Sequence, residues 1–202
     1  MTEIDSTTHF QKKIENSLEQ ISANGYTIIE NAFPDTLMAK LLENCLENTD
    51  NFTNAGIGRQ QEQHLNQKIR SDKTLWFSAK NSAQAEYLTL MDELRSIINR
   101  TFYLGLFDYE CHFAKYEQGD FYKKHLDAFK GRSNRVFTSV CYLNSIEEGG
   151  ELIIYDNDSN KIIEKVLPKK GTLVLFESER FPHEVQAAQS PRYSIAGWFR
   201  KN

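Results

Sequence analysis

The sequence is short of the features that mark secreted, membrane and nucleic-acid-binding chains. Three cysteines stand among 202 residues, at Cys45, Cys111 and Cys141. They form no close-spaced pair, and an odd count without such a pair argues against a disulfide framework or a zinc cluster. Cys111 and Cys141 fall in apolar, strand-like runs, the setting of buried reduced thiols. No apolar run fills Met1 to Asn24, so nothing there reads as a signal peptide. No stretch approaches the roughly 20 apolar residues of a membrane helix. Basic residues are in deficit, with 24 Lys+Arg against 28 Asp+Glu and a formal net charge of -4. A nucleic-acid-binding face usually leaves an excess of them. The expectation is a cytoplasmic protein with neither nucleic acid nor a membrane as partner. Nothing in the sequence sets an oligomeric state, and no repeat or low-complexity segment is visible.

What is present suits a packed domain. Apolar residues make up 40% and aromatics 12%, and 202 residues can bury a substantial core. We expect a single domain over 1–202, with a helical part at 1–104 and a β core at 105–202. In Phe10 to Ile21 the residues Phe10, Ile14, Leu18 and Ile21 recur at helical spacing, and Gly25 is placed to stop the helix. Tyr26 to Glu30 reads as a strand. Pro34 suits the first position of a second helix, whose inward residues would be Leu37, Leu41, Cys45 and Leu46. Asp50 to Gln67 is a polar loop, long enough to be functional. Strand pieces follow at Ile69 to Asp72 and Thr74 to Phe77. A long helix runs over Ala83 to Thr101 with Tyr87, Leu90, Leu94, Ile97 and Ile98 inward, opened by Asn81 and Gln84 as an imperfect capping box.

After Gly105 the period changes to two. Phe107, Tyr109, Cys111 and Phe113 alternate with Asp108, Glu110, His112 and Ala114, as in a half-buried strand. Further strands are expected at Phe121–Asp127, Arg135–Leu143, Glu151–Tyr155, Lys161–Val166, Thr172–Glu177 and Arg192–Phe199, separated by turn signals such as Gly149-Gly150. The fold class is α+β: a sandwich or jelly roll of seven or eight short strands with helices on one face.

Chemistry concentrates in this second half. His125 and Asp127 lie two apart in an expected strand, so both side chains leave one face. Alone, His-x-Asp is a weak motif, since a strand histidine is more often structural. His183 follows Pro182 in a polar segment. Two imidazoles and one carboxylate form the facial triad of non-haem iron and leave positions open for a chelating 2-oxo acid and dioxygen. A closed zinc site would want a fourth protein ligand, and none is placed for it. Beyond stand Arg192 and, on the same strand face, Ser194. A dicarboxylate held at one end by iron needs a cation at the other, and arginine offers a bidentate fork. Retention of Asp127 favours hydroxylation over halogenation. Of the remaining histidines, His112 shares a face with Tyr116 and reads as a core or supporting residue. His9 and His64 sit in polar surroundings and face solvent.

From Ile69 onward the chain resembles the prolyl-hydroxylase branch of the iron(II)/2-oxoglutarate oxygenases, and within it the hypoxia-sensing prolyl hydroxylases and their bacterial relatives. The segments that carry the resemblance are Ile69 to Trp76, Tyr122-Lys123-Lys124-His125-Leu126-Asp127, Cys141-Tyr142-Leu143-Asn144, and Pro182 to Gln186 through Arg192-Tyr193-Ser194-Ile195. The resemblance implies a double-stranded β-helix, a distorted jelly roll, with N-terminal and central helices packed on one sheet. It assigns His125, Asp127 and His183 to Fe(II), and Arg192, Tyr142 and Tyr116 to 2-oxoglutarate, with Ser194 beside them. Asp72 and Arg135 match a charged pair at the substrate channel, and Tyr122 and Trp198 match aromatics near a bound peptide. The implied reaction uses Fe(II), 2-oxoglutarate and O2, with ascorbate as an accessory reductant. It hydroxylates a prolyl residue of a protein or peptide and releases succinate and carbon dioxide. The chain departs from its relatives in the polar loop and in ending at Asn202, two places that govern substrate choice.

Three other functions stay open at this point. A hydroxylase of a free amino acid or metabolite would share every residue named above. A non-catalytic module could use the iron site to sense oxygen or ligand. A zinc hydrolase could use the same three ligands but gives no reason for Arg192 and Ser194.

Overall fold

The computed structural model describes residues 3–56, 68–129, 131 and 133–202. Two helices stand where one is expected at the N-terminus: α1 spans Glu3–Glu15 and α2 spans Leu18–Asn24. At the break the Ser17 hydroxyl donates to the Lys13 carbonyl and the Ser17 amide to the Ile14 carbonyl, both at 2.9 Å. Serine competes for backbone partners in this way, and the tightened turn ends the α-helix. The apolar stripe survives, with Phe10, Ile14 and Ile21 buried. Gly25 closes α2 at φ +80°, a left-handed cap that a Cβ would disfavour. Strand β1, Tyr26–Ile29, follows at once.

Pro34 is the N-cap of α3, Asp35–Glu47, one place earlier than expected. Leu37, Leu41 and Cys45 are buried, but Leu46 is 47% exposed. One step on from Cys45 turns a side chain through about 100°, out of the stripe. Helix α4, Ser82–Phe102, opens on Asn81, whose side-chain oxygen accepts from the Ala83 and Gln84 amides at 2.9 and 3.3 Å. Gln84 does not complete a capping box. Its side chain accepts from the Ser78 amide and donates to Asn44 of α3, tying the two helices together. The five residues expected to face inward from α4 are all buried.

The remaining strands are β2 (Thr53–Asn54), β3 (Lys73–Trp76), β4 (Asp108–Tyr116), β5 (Tyr122–His125), β6 (Arg135–Tyr142), β7 (Leu152–Tyr155), β8 (Ile162–Val166), β9 (Leu173–Glu177), β10 (His183–Val185) and β11 (Arg192–Arg200). They build two antiparallel sheets, ordered β1-β9-β6-β11-β4-β3-β2 and β5-β10-β7-β8. This is the double-stranded β-helix. The larger sheet draws strands from both sides of residue 105. Its outer face packs on the helices, Phe10, Leu41, Tyr87 and Leu94 meeting Cys111, Phe113, Cys141 and Ile195. Its inner face packs on the smaller sheet, Tyr116, Val140 and Tyr142 meeting Leu152, Ile154 and Val185.

With both faces covered, β4 is not half-buried. His112 and Ala114 are as buried as Cys111 and Phe113, while Phe107, ahead of the strand, is 62% exposed. All three cysteines are free and buried, and His9 is exposed. Of the expected polar loop, residues 57–67, His64 included, lie outside those described. Among the described residues no helix is long and apolar enough to cross a membrane.

Strand register lays out the cavity wall. Along β11 the inward residues pair in rows: Arg192 with Tyr116, Ser194 with Ala114 and Tyr142, Ala196 with His112 and Val140, Trp198 with Glu110 and Thr138. Successive rows lie about 7 Å apart, two residues along a strand. Between them, on the outer face, Gly197 lets the Tyr109 ring lie across β11. A Cβ at Gly197 would collide with the Tyr109 hydroxyl and stand 2.8 Å from the Cys111 Cβ. We therefore expect Gly197→Ala to destabilise the fold by about 1–3 kcal/mol through overpacking. A lowered denaturation midpoint at unchanged slope would show it.

Candidate metal centre and co-substrate pocket

His125 ends β5, Asp127 lies just past it and His183 opens β10. The expected strand through Asp127 therefore stops two residues early. The backbone leaves the strand after His125 and bends at Asp127, and the two side chains still converge. His183 also begins a strand, where a polar segment following one is expected. Antiparallel pairing sets His183 directly opposite His125. One ligand-type atom from each of the three residues lies within 4.8 Å of the others. The Asp127 carboxylate oxygens stand 3.4 Å from His125 Nε2 and 3.5 Å from His183 Nε2. Neighbouring ligand atoms on a metal with bonds of about 2.1 Å are separated by roughly 3 Å, so small shifts would close the site on an ion.

Each side chain is aimed by a hydrogen bond away from that point. His125 Nδ1 lies 2.8 Å from the Lys123 carbonyl and His183 Nδ1 3.0 Å from the Phe181 carbonyl. A carbonyl can only accept, so Nδ1 carries the proton and Nε2 presents its lone pair inward. Asp127 Oδ2 accepts from the Thr138 hydroxyl at 2.8 Å and from the Trp198 indole at 2.9 Å, which leaves Oδ1 to face a metal. Thr138 Oγ1 in turn lies 2.9 Å from the buried Ser178 hydroxyl.

The electrostatics favour metal-ready forms. Burial alone would raise the Asp127 carboxyl. The His183 and His125 rings and the Trp198 hydrogen bond outweigh it and hold the group well below its usual range. Burial pushes the His183 imidazole down to about 4, with repulsion from His125 adding to the effect. A neutral ring is the form that binds a metal.

At the other end of the wall lies Arg192, 1% exposed. Its guanidinium donates to Ser194 Oγ at 3.0 Å, and its Cζ stands 4.7 and 5.0 Å from the Tyr116 and Tyr142 ring centroids. Among the described residues no carboxylate pairs with it, and Arg192 Nε and the Tyr142 hydroxyl are both buried without partners. A buried cation and a buried hydroxyl left unsatisfied together ask for an anion.

Residues 111–200 match the profile of the 2OG-Fe(II) oxygenase superfamily. A Pseudomonas putida prolyl-4-hydroxylase is 33% identical, with a TM-score of 0.83; the match covers 94% of this chain and 99% of that one. The chain belongs to the prolyl-hydroxylase group of the 2OG-Fe(II) oxygenases. A Trichoplax adhaerens prolyl hydroxylase, solved with a hypoxia inducible factor peptide fragment, is 29% identical over 95% of this chain and 91% of that one, also at a TM-score of 0.83. Human Egl nine homolog 1 is 29% identical over 165 residues, 76% of this chain but 38% of the relative. The chain thus spans well under half of that protein's length.

The residues present fit the group's Fe(II) and 2-oxoglutarate: a cluster of two imidazoles and one carboxylate at one end of the wall, and at the other a buried cation that no carboxylate among the described residues pairs with. The expected Asp72–Arg135 pair is not formed. Asp72 binds Arg70 through two contacts of 2.7 Å, and Arg135 binds Glu110 at 2.9 and 3.1 Å. Asp72 is taken by Arg70, two residues along the chain, and Arg135 by Glu110, which reaches it across β11. Tyr122 and Trp198, expected near a bound peptide, both touch the metal-ligand candidates. Tyr122 stacks on the His125 ring at 3.5 Å, and Trp198 donates to Asp127. His112 is buried, its pKa lowered by burial to about 4, and it packs edge-on to Trp76 as a neutral supporting residue.

Sequence reasoning missed Thr138, which strand parity with Tyr142 could have flagged. It also missed Gly150, expected only as a turn residue. A Cβ at Gly150 would lie 3.0 Å from Arg192 Cδ, at φ +62°, so only glycine leaves room for the buried arginine stem. Gly150→Ala should displace the guanidinium and raise the KM for 2-oxoglutarate several-fold with little change in metal affinity. Initial rates against co-substrate concentration, alongside a metal titration, would separate the two effects.

Proposed function

We propose that this chain is an Fe(II)- and 2-oxoglutarate-dependent dioxygenase that hydroxylates a prolyl residue in a protein or peptide, working in the cytoplasm, where its three cysteines stay reduced. One observation carries the chemistry: a carboxylate-free buried guanidinium lies on the same cavity wall as a two-imidazole, one-carboxylate cluster. That pairing suits a dicarboxylate whose two ends do different jobs. The prolyl-hydroxylase relatives, one of them solved with a peptide, support the choice of acceptor.

His125, Asp127 and His183 would hold Fe(II). Loaded with 2-oxoglutarate and O2, the centre supplies the oxidising power to place one oxygen atom on an unactivated carbon, the co-acid leaving as succinate and carbon dioxide. The protein's own residues position and exclude. Arg192, Ser194 and Tyr142 bind the far carboxylate and fix the depth at which the co-acid sits. Val140 and Ala196, in the row between anchor and metal, offer it no competing polar contact. Thr138 and Trp198 hold the Asp127 carboxylate to a single free oxygen, which fixes its angle at the metal.

Succinate release on mixing the protein with Fe(II), 2-oxoglutarate and a proline-containing peptide tests the reading. His183→Ala should abolish turnover; undiminished turnover would overturn the metal assignment. Arg192→Ala should raise the KM for 2-oxoglutarate roughly 10- to 100-fold, the worth of hydrogen bonds to a charged group. Mass spectrometry of the peptide should place one added oxygen on proline. Oxygen found only on a free amino acid or metabolite would move the enzyme to another branch.

A further inference from the structure

The three metal-ligand residues are not equally supported by the fold. His183 sits on β10, between β5 and β7 in the smaller sheet, with the Phe176 ring 4.7 Å from its own. His125 ends a four-residue strand at the edge of that sheet and has the most exposed side chain of the three, at 16% against 6% for His183. Asp127 lies beyond the end of any strand. The two less supported residues need bracing from outside their own strand, and each has it in the same form.

On one side, Asp72 grips Arg70 through both carboxylate oxygens at 2.7 Å. The Arg70 Cζ lies 4.1 Å above the Tyr122 ring, and the other face of Tyr122 stacks on His125 at 3.5 Å and 14°. On the other side, Glu110 grips Arg135 at 2.9 and 3.1 Å. The Arg135 Cζ lies 3.6 Å from the Trp198 ring centroid, and the Trp198 indole donates to Asp127 at 2.9 Å. Both chains of contact run carboxylate, arginine, aromatic ring, metal-ligand residue. Their anchors are firm: the Asp72 side chain is wholly buried, and Glu110 is held again by Arg200 at 2.8 Å.

Building on the metal assignment above, we infer that Arg70 and Arg135 are positioning residues of the metal centre, acting through Tyr122 and Trp198. Guanidinium suits the task because it is planar, always charged and able to fork onto a carboxylate while stacking on a ring. The cation pins the aromatic ring, and the ring limits the rotation of His125 or the swing of Asp127. Loss of either brace should loosen one ligand while leaving the other two in place.

The test uses the full chain and Co(II) as the probe, followed by visible absorbance without substrate or turnover. Wild type, Arg70→Gln and Arg135→Gln are titrated, with circular dichroism and thermal melting as fold controls. Each variant should bind Co(II) about tenfold more weakly and show an altered ligand-field band, as loss of an outer partner of a metal site does. The effect of Arg70→Gln should vanish in a Tyr122→Leu background, since coupled residues are not additive. Unchanged affinity and spectrum in both variants, with wild type binding normally, would overturn the inference and leave the metal assignment standing. If wild type fails to bind Co(II), both fall. Arg135 is partly exposed, so Arg135→Gln carries the test should Arg70→Gln unfold.

Discussion

A charged carboxylate buried between two sheets survives only if the fold surrounds it with donors, and Asp127 is where this structure meets that demand. The Thr138 hydroxyl comes from β6 and the Trp198 indole from β11, neighbouring strands whose register sets these two residues side by side. The two histidines come from the opposite sheet. The carboxylate is thus a point at which both layers of the sandwich meet. Moving β6 against β11 by one residue would turn Thr138 to the helix face and cost Asp127 one of its two side-chain donors. Sheet register and metal geometry are therefore one constraint, and the outer-face contact of Gly197 with Tyr109 helps to hold it.

The sequence made some parts of this plain and hid others, for physical reasons. Residue type and order were enough to single out His125, Asp127, His183 and Arg192 as candidates, because few side chains suit such roles, and the structure brings the first three together. The convergence of His125 and Asp127 was legible, but not the end of the strand at His125, after which the chain bends at Asp127. Alternation misled at β4, since it assumes that one face of the strand meets water, and this one meets helices on one side and a second sheet on the other. The break at Ser17 depends on one hydroxyl choosing the Lys13 carbonyl, a local competition that a spacing pattern does not record.

Charged residues were the hardest to place. Asp72 and Arg135 are far apart in sequence and complementary in sign, so pairing them was natural. The structure pairs each with a partner that local geometry makes easier: Arg70 two residues from Asp72, and Glu110 adjacent to Trp198 across a strand pair. A sequence gives the sign of a charge but not the direction of its side chain. Two possible partners for each acid already make the choice a matter of three-dimensional packing.

The same reasoning separates the two ends of the cavity. At the metal end every polar atom of the three ligand residues has a defined task, and surrounding rings exclude alternatives. At the Arg192 end a guanidinium nitrogen and a tyrosine hydroxyl are buried without a hydrogen-bond partner among the described residues, an arrangement that costs stability unless an anion offsets it. Neutral ligands of the same size would leave that cost in place, and so would a monocarboxylate held only at the metal. A molecule with carboxylates at both ends removes it. The selectivity for a dicarboxylate co-substrate thus resides less in any contact the protein makes than in the one that Arg192, given room by Gly150 and flanked by Tyr116 and Tyr142, leaves unmade.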